Sequence, residues 1–204
     1  AKDKNEIVFT KGATEALNLV ANTFGQKYLK EGDEVLITEL EHHSNYVPWH
    51  YLRKSNGIKI VFAEVNENGE ITLESIEKKI TSKTKIIAVT HCSNIVGSVN
   101  NLNLISKLGH EKGAIVIGDG VSYAPHGFPN VKNLGVDFYT FSLYKTYGPH
   151  LALLYGKEDI LKKLPNQNHE FLNGQYPYTI NPGGPNHEEL ASLVGIYEYF
   201  DNLY

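Results

Sequence analysis

The chain has no methionine, one cysteine (Cys92), one arginine (Arg53) and one tryptophan (Trp49) in 204 residues. A single thiol cannot close an internal disulfide, so a reducing, cytoplasmic compartment is expected. No apolar run approaches the ~18 residues that a membrane-spanning helix needs, and the N-terminus has no secretory-signal pattern. The formal net charge of −4 supplies no positive surplus for nucleic acid or an anionic membrane. Without methionine, and with a last helical run reaching towards Tyr204, the chain is expected to be a piece of a longer protein. The scarcity of arginine has a chemical consequence. A guanidinium is the usual clamp for an amino acid's carboxylate, so either Arg53 does this or the clamp lies outside this chain.

What is present is an ordinary globular composition, 41% hydrophobic and 21% charged, in a chain long enough to bury a sizeable core. Short β-branched runs alternate with longer periodic segments. Strands are expected at Glu6–Thr10, Glu34–Glu39, Ile58–Ala63, Lys85–His91, Ala114–Gly118, Phe138–Ser142 and Leu151–Tyr155. Helices are expected at Thr14–Lys30, Asn45–Lys54, Leu73–Ile80, Leu102–Lys112, Glu158–Lys163 and Glu188–Asn202. Thr72 suits the N-cap of the third helix and Gly113 the stop of the fourth. Strands apolar on both faces belong to a mostly parallel sheet covered by helices on both sides, an α/β fold. Residues 166–184 have no clear period, and their Asn, Gly, Tyr and Pro content suits an ordered functional loop or flap.

In an open α/β sheet, ligands bind beyond the carboxyl ends of the strands. Five expected strands run into polar groups there: Gly12-Ala13-Thr14, Glu41-His42-His43, Ser93-Asn94, Asp119 with Ser122, and Ser142 with Tyr144 and Lys145. Gly12-Ala13-Thr14 offers backbone N–H groups, a hydroxyl and a helix N-terminus, which suit a phosphate; alone, Thr14 would be read as a simple N-cap. Asp119 ends an apolar strand, where a carboxylate is costly unless paired. It can pair with a protonated ring nitrogen, or close an ordinary Asx-turn. His42 and His43 are adjacent and cannot form an i,i+4 metal pair, so no metal site is expected. An imidazole there can lie on an aromatic ring or move a proton, or simply cap a helix. Asn94 can donate to a phenolate oxygen. Cys92 is expected as a buried, inert thiol; His126, His150 and His187 receive no role. Lys145 ends a buried-strand pattern just before Gly148-Pro149, where a desolvated amine can attack a carbonyl; alone, it would be read as a lysine snorkelling out from a strand end. Together these groups describe a ligand with a phosphate, a basic aromatic ring, a phenolic oxygen and an aldehyde: pyridoxal 5'-phosphate.

Three segments carry a family resemblance. They are Phe9-Thr10-Lys11-Gly12-Ala13-Thr14-Glu15-Ala16-Leu17-Asn18, Glu41-His42-His43-Ser44-Asn45-Tyr46-Val47-Pro48-Trp49 and His91-Cys92-Ser93-Asn94-Ile95-Val96-Gly97-Ser98-Val99-Asn100. The chain resembles class V aminotransferases over nearly its whole length, and most of all cysteine desulfurases and selenocysteine lyases. The resemblance implies the large domain of the pyridoxal-phosphate fold type I, without its small C-terminal domain. It implies that Lys145 forms the Schiff base, that Asp119 pairs with the pyridine nitrogen, and that His42 stacks on the ring and handles protons. Asn94 would contact the ring oxygen or the substrate, and Ala13, Thr14 and Ser142 the phosphate. It further implies a small amino-acid substrate such as L-cysteine, a homodimer, and a sulfur-acceptor protein as partner.

There are departures. Ser122 stands where the family commonly has glutamine, Tyr144 where it has histidine, and Gly184 where a threonine reaches the partner subunit's phosphate. Tyr144 can still donate to phosphate, whereas Ser122 is short for the ring oxygen. The persulfide-forming cysteine and carboxylate-binding arginine of the desulfurases have no counterpart here. Selenocysteine lysis, epimerisation, transamination and a silent scaffold domain therefore stand beside desulfuration as alternatives.

Overall fold

The computed structural model describes residues 1–203; Tyr204, at the end of the last expected helical run, lies outside the described residues. Seven strands form one sheet: β1 (Ile7–Thr10), β2 (Glu34–Thr38), β3 (Lys59–Ala63), β4 (Thr84–Thr90), β5 (Ile115–Asp119), β6 (Phe138–Ser142) and β7 (Ala152–Gly156). Their order is β1-β7-β6-β5-β4-β2-β3. Neighbours from β6 through β3 pair parallel, while β7 runs antiparallel to both β6 and β1. Six strands therefore point one way, and the C-terminal ends of β1, β2, β4, β5 and β6 share one rim.

The pleat explains the continuous apolar runs. Successive side chains of a strand face opposite sides of the sheet. Val35 and Ile37 of β2, Ile86 and Ala88 of β4, and Ile117 of β5 enter one core. Leu36, Ile87, Val89 and Val116 enter the other. The first core is covered by α1 (Ala13–Val20) and α3 (Val47–Asn56), through Leu17, Val20, Trp49 and Leu52; the second is covered by α5 (Leu102–Glu111), through Leu102, Ile105 and Leu108. A sheet buried on both faces needs this two-sided cover.

Local signals set the helix limits. The Asn101 side chain accepts from Leu104 N at 3.2 Å to start α5, and Gly113, at φ +77, takes the left-handed conformation that ends it. Thr72 accepts from Ser75 N at 3.0 Å to start α4 (Leu73–Glu77). The expected helix Thr14–Lys30 is three pieces: α1, a π-helical segment Ala21–Gly25, and α2 (Gln26–Tyr28). Within that segment the Thr23 hydroxyl donates back to Leu19 O at 2.6 Å, a bond of the kind that bends helices. A short helix α6 (Val131–Leu134), started by the Asn130 side chain, was not expected. The last two helices are α7 (Glu158–Leu161) and α8 (His187–Asp201).

Candidate active site

The rim holds a cavity of about 350 Å³. Each of the five converging strand ends contributes to its lining: Ala13 and Thr14 after β1, His42 after β2, Asn94 after β4, Asp119 and Ser122 at β5, and Ser142, Tyr144 and Lys145 at β6. All nine residues singled out from the sequence thus border one space. The parallel sheet is the cause, because it delivers every strand's C-terminal loop to the same side.

At the first corner, α1 begins one residue earlier than expected. Gly12 is its N-cap, and Thr14 is the second helical residue rather than a capping side chain. Glu15 reaches back to accept from Lys11 N, the residue before the N-cap, at 2.6 Å. The N–H groups of Ala13 and Thr14 take no partner among the described residues. A side-chain carbon placed on Gly12 would meet no protein atom, so glycine there keeps the cavity open.

Asp119 is 3% exposed and faces the cavity. Its Oδ1 accepts from Val121 N at 3.0 Å, closing the Asx-turn, and its other oxygen has no partner among the described residues. Burial raises its pKa above the ordinary carboxylate value; the Val121 N–H and the positive charges of His42 and Lys145 oppose this without cancelling it. A carboxylate so placed is stabilised by any cation that enters the cavity.

His42 caps a 3₁₀ turn, His43–Asn45. Ser44 N–H donates to its Nδ1 at 3.1 Å, which in the neutral ring leaves the proton on Nε2. The capping and cavity-lining roles of His42 are therefore compatible. Behind it lies Glu41, named from the sequence among the rim's polar groups but given no role there. Its side chain accepts from Thr38 Oγ1 at 2.6 Å, Asn45 Nδ2 at 2.6 Å and Thr90 N at 2.8 Å. It ties β2, the His42 turn and β4 together. Burial lifts its pKa to about 7, the three donors pull it down, and the charge of Asp119 adds to the rise.

Two expectations are corrected, and one of two alternatives loses support. Lys145 is not at a strand end in a desolvated setting. It closes a 3₁₀ turn, Leu143–Lys145, three residues beyond β6, and its side chain is exposed because that turn carries it out onto the rim. Cys92 is not buried: it lies past the end of β4, bridges to Val99, and lines an adjoining cavity of about 640 Å³ with Asn94, Ser122 and Lys145. Arg53 is exposed on α3 and does not line the main cavity among the described residues. His91, read only as a strand residue, is 4% exposed beneath the site. Its ring stacks on Tyr123 at 3.6 Å, and its Nδ1 lies 2.8 Å from the hydroxyl of Tyr139. Burial pushes its pKa down to about 4. No local pattern around residue 91 announces this, because Tyr123 and Tyr139 are distant in the chain.

The class-V aminotransferase family model matches residues 1–176. A probable cysteine desulfurase of Halalkalibacterium halodurans is 43% identical over 199 residues, covering 97% of this chain and 45% of that protein. Among solved structures, a cysteine desulfurase of Escherichia coli superposes with a TM-score of 0.91 at 31% identity, over 98% of this chain and 53% of the other. A cysteine desulfurase of Thermococcus onnurineus gives 0.86 at 33% identity, over 98% of this chain and 52% of the other. The chain thus spans about half the length of the relatives it matches.

Proposed function

The chain belongs to the class V aminotransferase family, and from that premise we propose that it is the cofactor-binding large domain of a pyridoxal-phosphate-dependent cysteine desulfurase. The fold is the fold type I large domain that the resemblance implied, with a mostly parallel sheet between two helical layers. The observation that carries the proposal is the single cavity that joins the Lys145 amine, the half-paired Asp119 carboxylate and the free N–H groups of α1. These residues fit the cofactor. Backbone donors at a helix N-terminus and the Ser142 hydroxyl suit its phosphate, and Asp119 suits a protonated ring nitrogen.

When bound, pyridoxal 5'-phosphate supplies an aldehyde for amines and a protonated pyridine that draws electron density from the substrate's Cα. In this proposal the Lys145 amine would hold that aldehyde, and the same amine would be the base that takes the proton from the Cα of L-cysteine. Asp119 keeps the ring nitrogen protonated. His42, with Nδ1 fixed by Ser44, would lie against the ring and hold or move a proton at Nε2. Asn94 and Ser122, which line the same cavity, would be donors for its phenolic oxygen. Sulfur passes from the substrate's Cβ to a cysteine thiolate, giving alanine and an enzyme persulfide. Cys92 and Arg53 do not suit the persulfide and carboxylate roles, so both are assigned to residues outside this chain. The homodimer, the sulfur-acceptor protein and the cytoplasmic location belong to the same proposal.

Two measurements test it. Cofactor-loaded protein is expected to show a visible absorbance band that Lys145→Ala removes; a mutant that keeps the band would overturn the role of Lys145. The complete protein is expected to release alanine and sulfide from L-cysteine. Cofactor binding without either product would exclude desulfuration and favour another class V reaction.

A further inference from the structure

We infer that His150 is an anion-binding residue of this cavity, donating to the cofactor's phosphate beside the N-terminus of α1 and Ser142. The inference rests on the cavity being the cofactor site. His150 lines the main cavity and also an adjoining one of about 600 Å³, and Lys11 and Glu15 border both. Its ring therefore lies at the α1 end of the site. It stacks nearly parallel on Tyr144, with ring centroids 4.7 Å apart and an interplanar angle of 11°. Stacking fixes the plane of the imidazole, which is exposed at the cavity mouth. Neither nitrogen has a hydrogen-bond partner among the described residues.

A second observation points to a ligand in the same place. Ser142 is 3% exposed, lines the cavity, and its hydroxyl takes no hydrogen bond among the described residues. The residue is buried while its unpartnered hydroxyl opens on the cavity, where a ligand's acceptor oxygen can take its proton. The N–H groups of Ala13 and Thr14 are open on the same cavity. Glu15, which borders both cavities, accepts from Lys11 N, and Glu189 borders only the adjoining one. Backbone donors, a hydroxyl and an imidazole edge suit a phosphate with several acceptor oxygens.

The test compares pyridoxal 5'-phosphate with pyridoxal, which lacks the phosphate. Cofactor-free protein is titrated with each and followed by visible absorbance. His150→Ala is expected to weaken pyridoxal 5'-phosphate binding roughly tenfold, the scale of one hydrogen bond to a charged group, and to leave pyridoxal binding unchanged. Inorganic phosphate should compete less well in the mutant. Equal weakening for both ligands, or none for either, would overturn the inference. So would a mutant whose only defect is a raised KM for L-cysteine, which would assign His150 to the substrate's carboxylate instead. Should His150→Ala lose its fold by circular dichroism, His150→Phe keeps a ring on Tyr144, removes the donors and carries the same comparison. Failure of the underlying cofactor assignment looks different, because the unmutated protein would then bind neither ligand.

Discussion

Glu41 offers the most direct check on the electrostatics beneath the site. Its carboxylate collects donors from Thr38, Asn45 and Thr90, yet burial lifts its pKa from 4.5 to about 7. Below pH 4.5 the group is protonated in folded and unfolded chains alike and adds no pH dependence. As pH rises from 4.5 towards 7 the unfolded chain releases the proton while the folded chain keeps it, so stability falls; above 7 the whole cost is present. The gap corresponds to about 3 kcal/mol, less whatever solvent recovers at a half-buried residue. Glu41→Gln removes the charge and keeps the shape. Its amide oxygen can accept from Thr38 and Thr90, and its NH₂ can donate to Asn45 Oδ1 once that amide turns over. Asn45 Oδ1 is buried and unpartnered in the present orientation. Urea unfolding of cofactor-free protein and mutant from about pH 5 to about pH 8.5 should show their stability difference swing by roughly 2–3 kcal/mol in favour of glutamine as pH rises. The titration of His91 is common to both proteins and cancels. A pH-independent difference, or a swing of the opposite sign, refutes the reasoning.

Two further substitutions separate site from scaffold. Asp119→Asn is expected to raise the melting temperature of the cofactor-free protein at neutral pH, because it removes a buried charge that burial disfavours, and to weaken pyridoxal 5'-phosphate binding in an absorbance titration; effects of the same sign would disprove the pairing with a ring nitrogen. Gly120→Ala places its methyl on the ring of fully buried Tyr139. It should cost about 1–3 kcal/mol, seen as a melting temperature lowered by roughly 2–4 °C per kcal/mol, and an unchanged value would show that Tyr139 can move.

The outcome for individual elements shows what kind of information each needed. All seven strands were legible because β-branched runs of four to seven residues have one stable use in a chain that alternates them with helices. The convergence of residues near 13, 42, 94, 119, 142 and 145 was legible for the same reason: parallel pairing sends every strand end to one rim. The π-helical segment at Ala21–Gly25 was not, because it sits inside an uninterrupted helical pattern. Helix α6 was too short for its period to register. Lys145 looked buried because the strand pattern runs up to it, and a single 3₁₀ turn reversed that.

The sequence by itself determined the order of the elements, the two-sided sheet, the family and the residues that meet at the rim. These follow from local pattern and from the direction that strands must share. Only the tertiary structure decided the state of those residues: that Asp119 keeps one oxygen unpaired, that Glu41 joins Thr38, Asn45 and Thr90, that His91 lies between Tyr123 and Tyr139, that Cys92 faces a cavity, and that His150 rests on Tyr144. Burial and hydrogen-bond partnership depend on groups brought together from distant parts of the chain. A neighbour in space that is not a neighbour in sequence leaves no mark on either residue's local pattern, and it is such neighbours that set the charge and reach of a functional side chain.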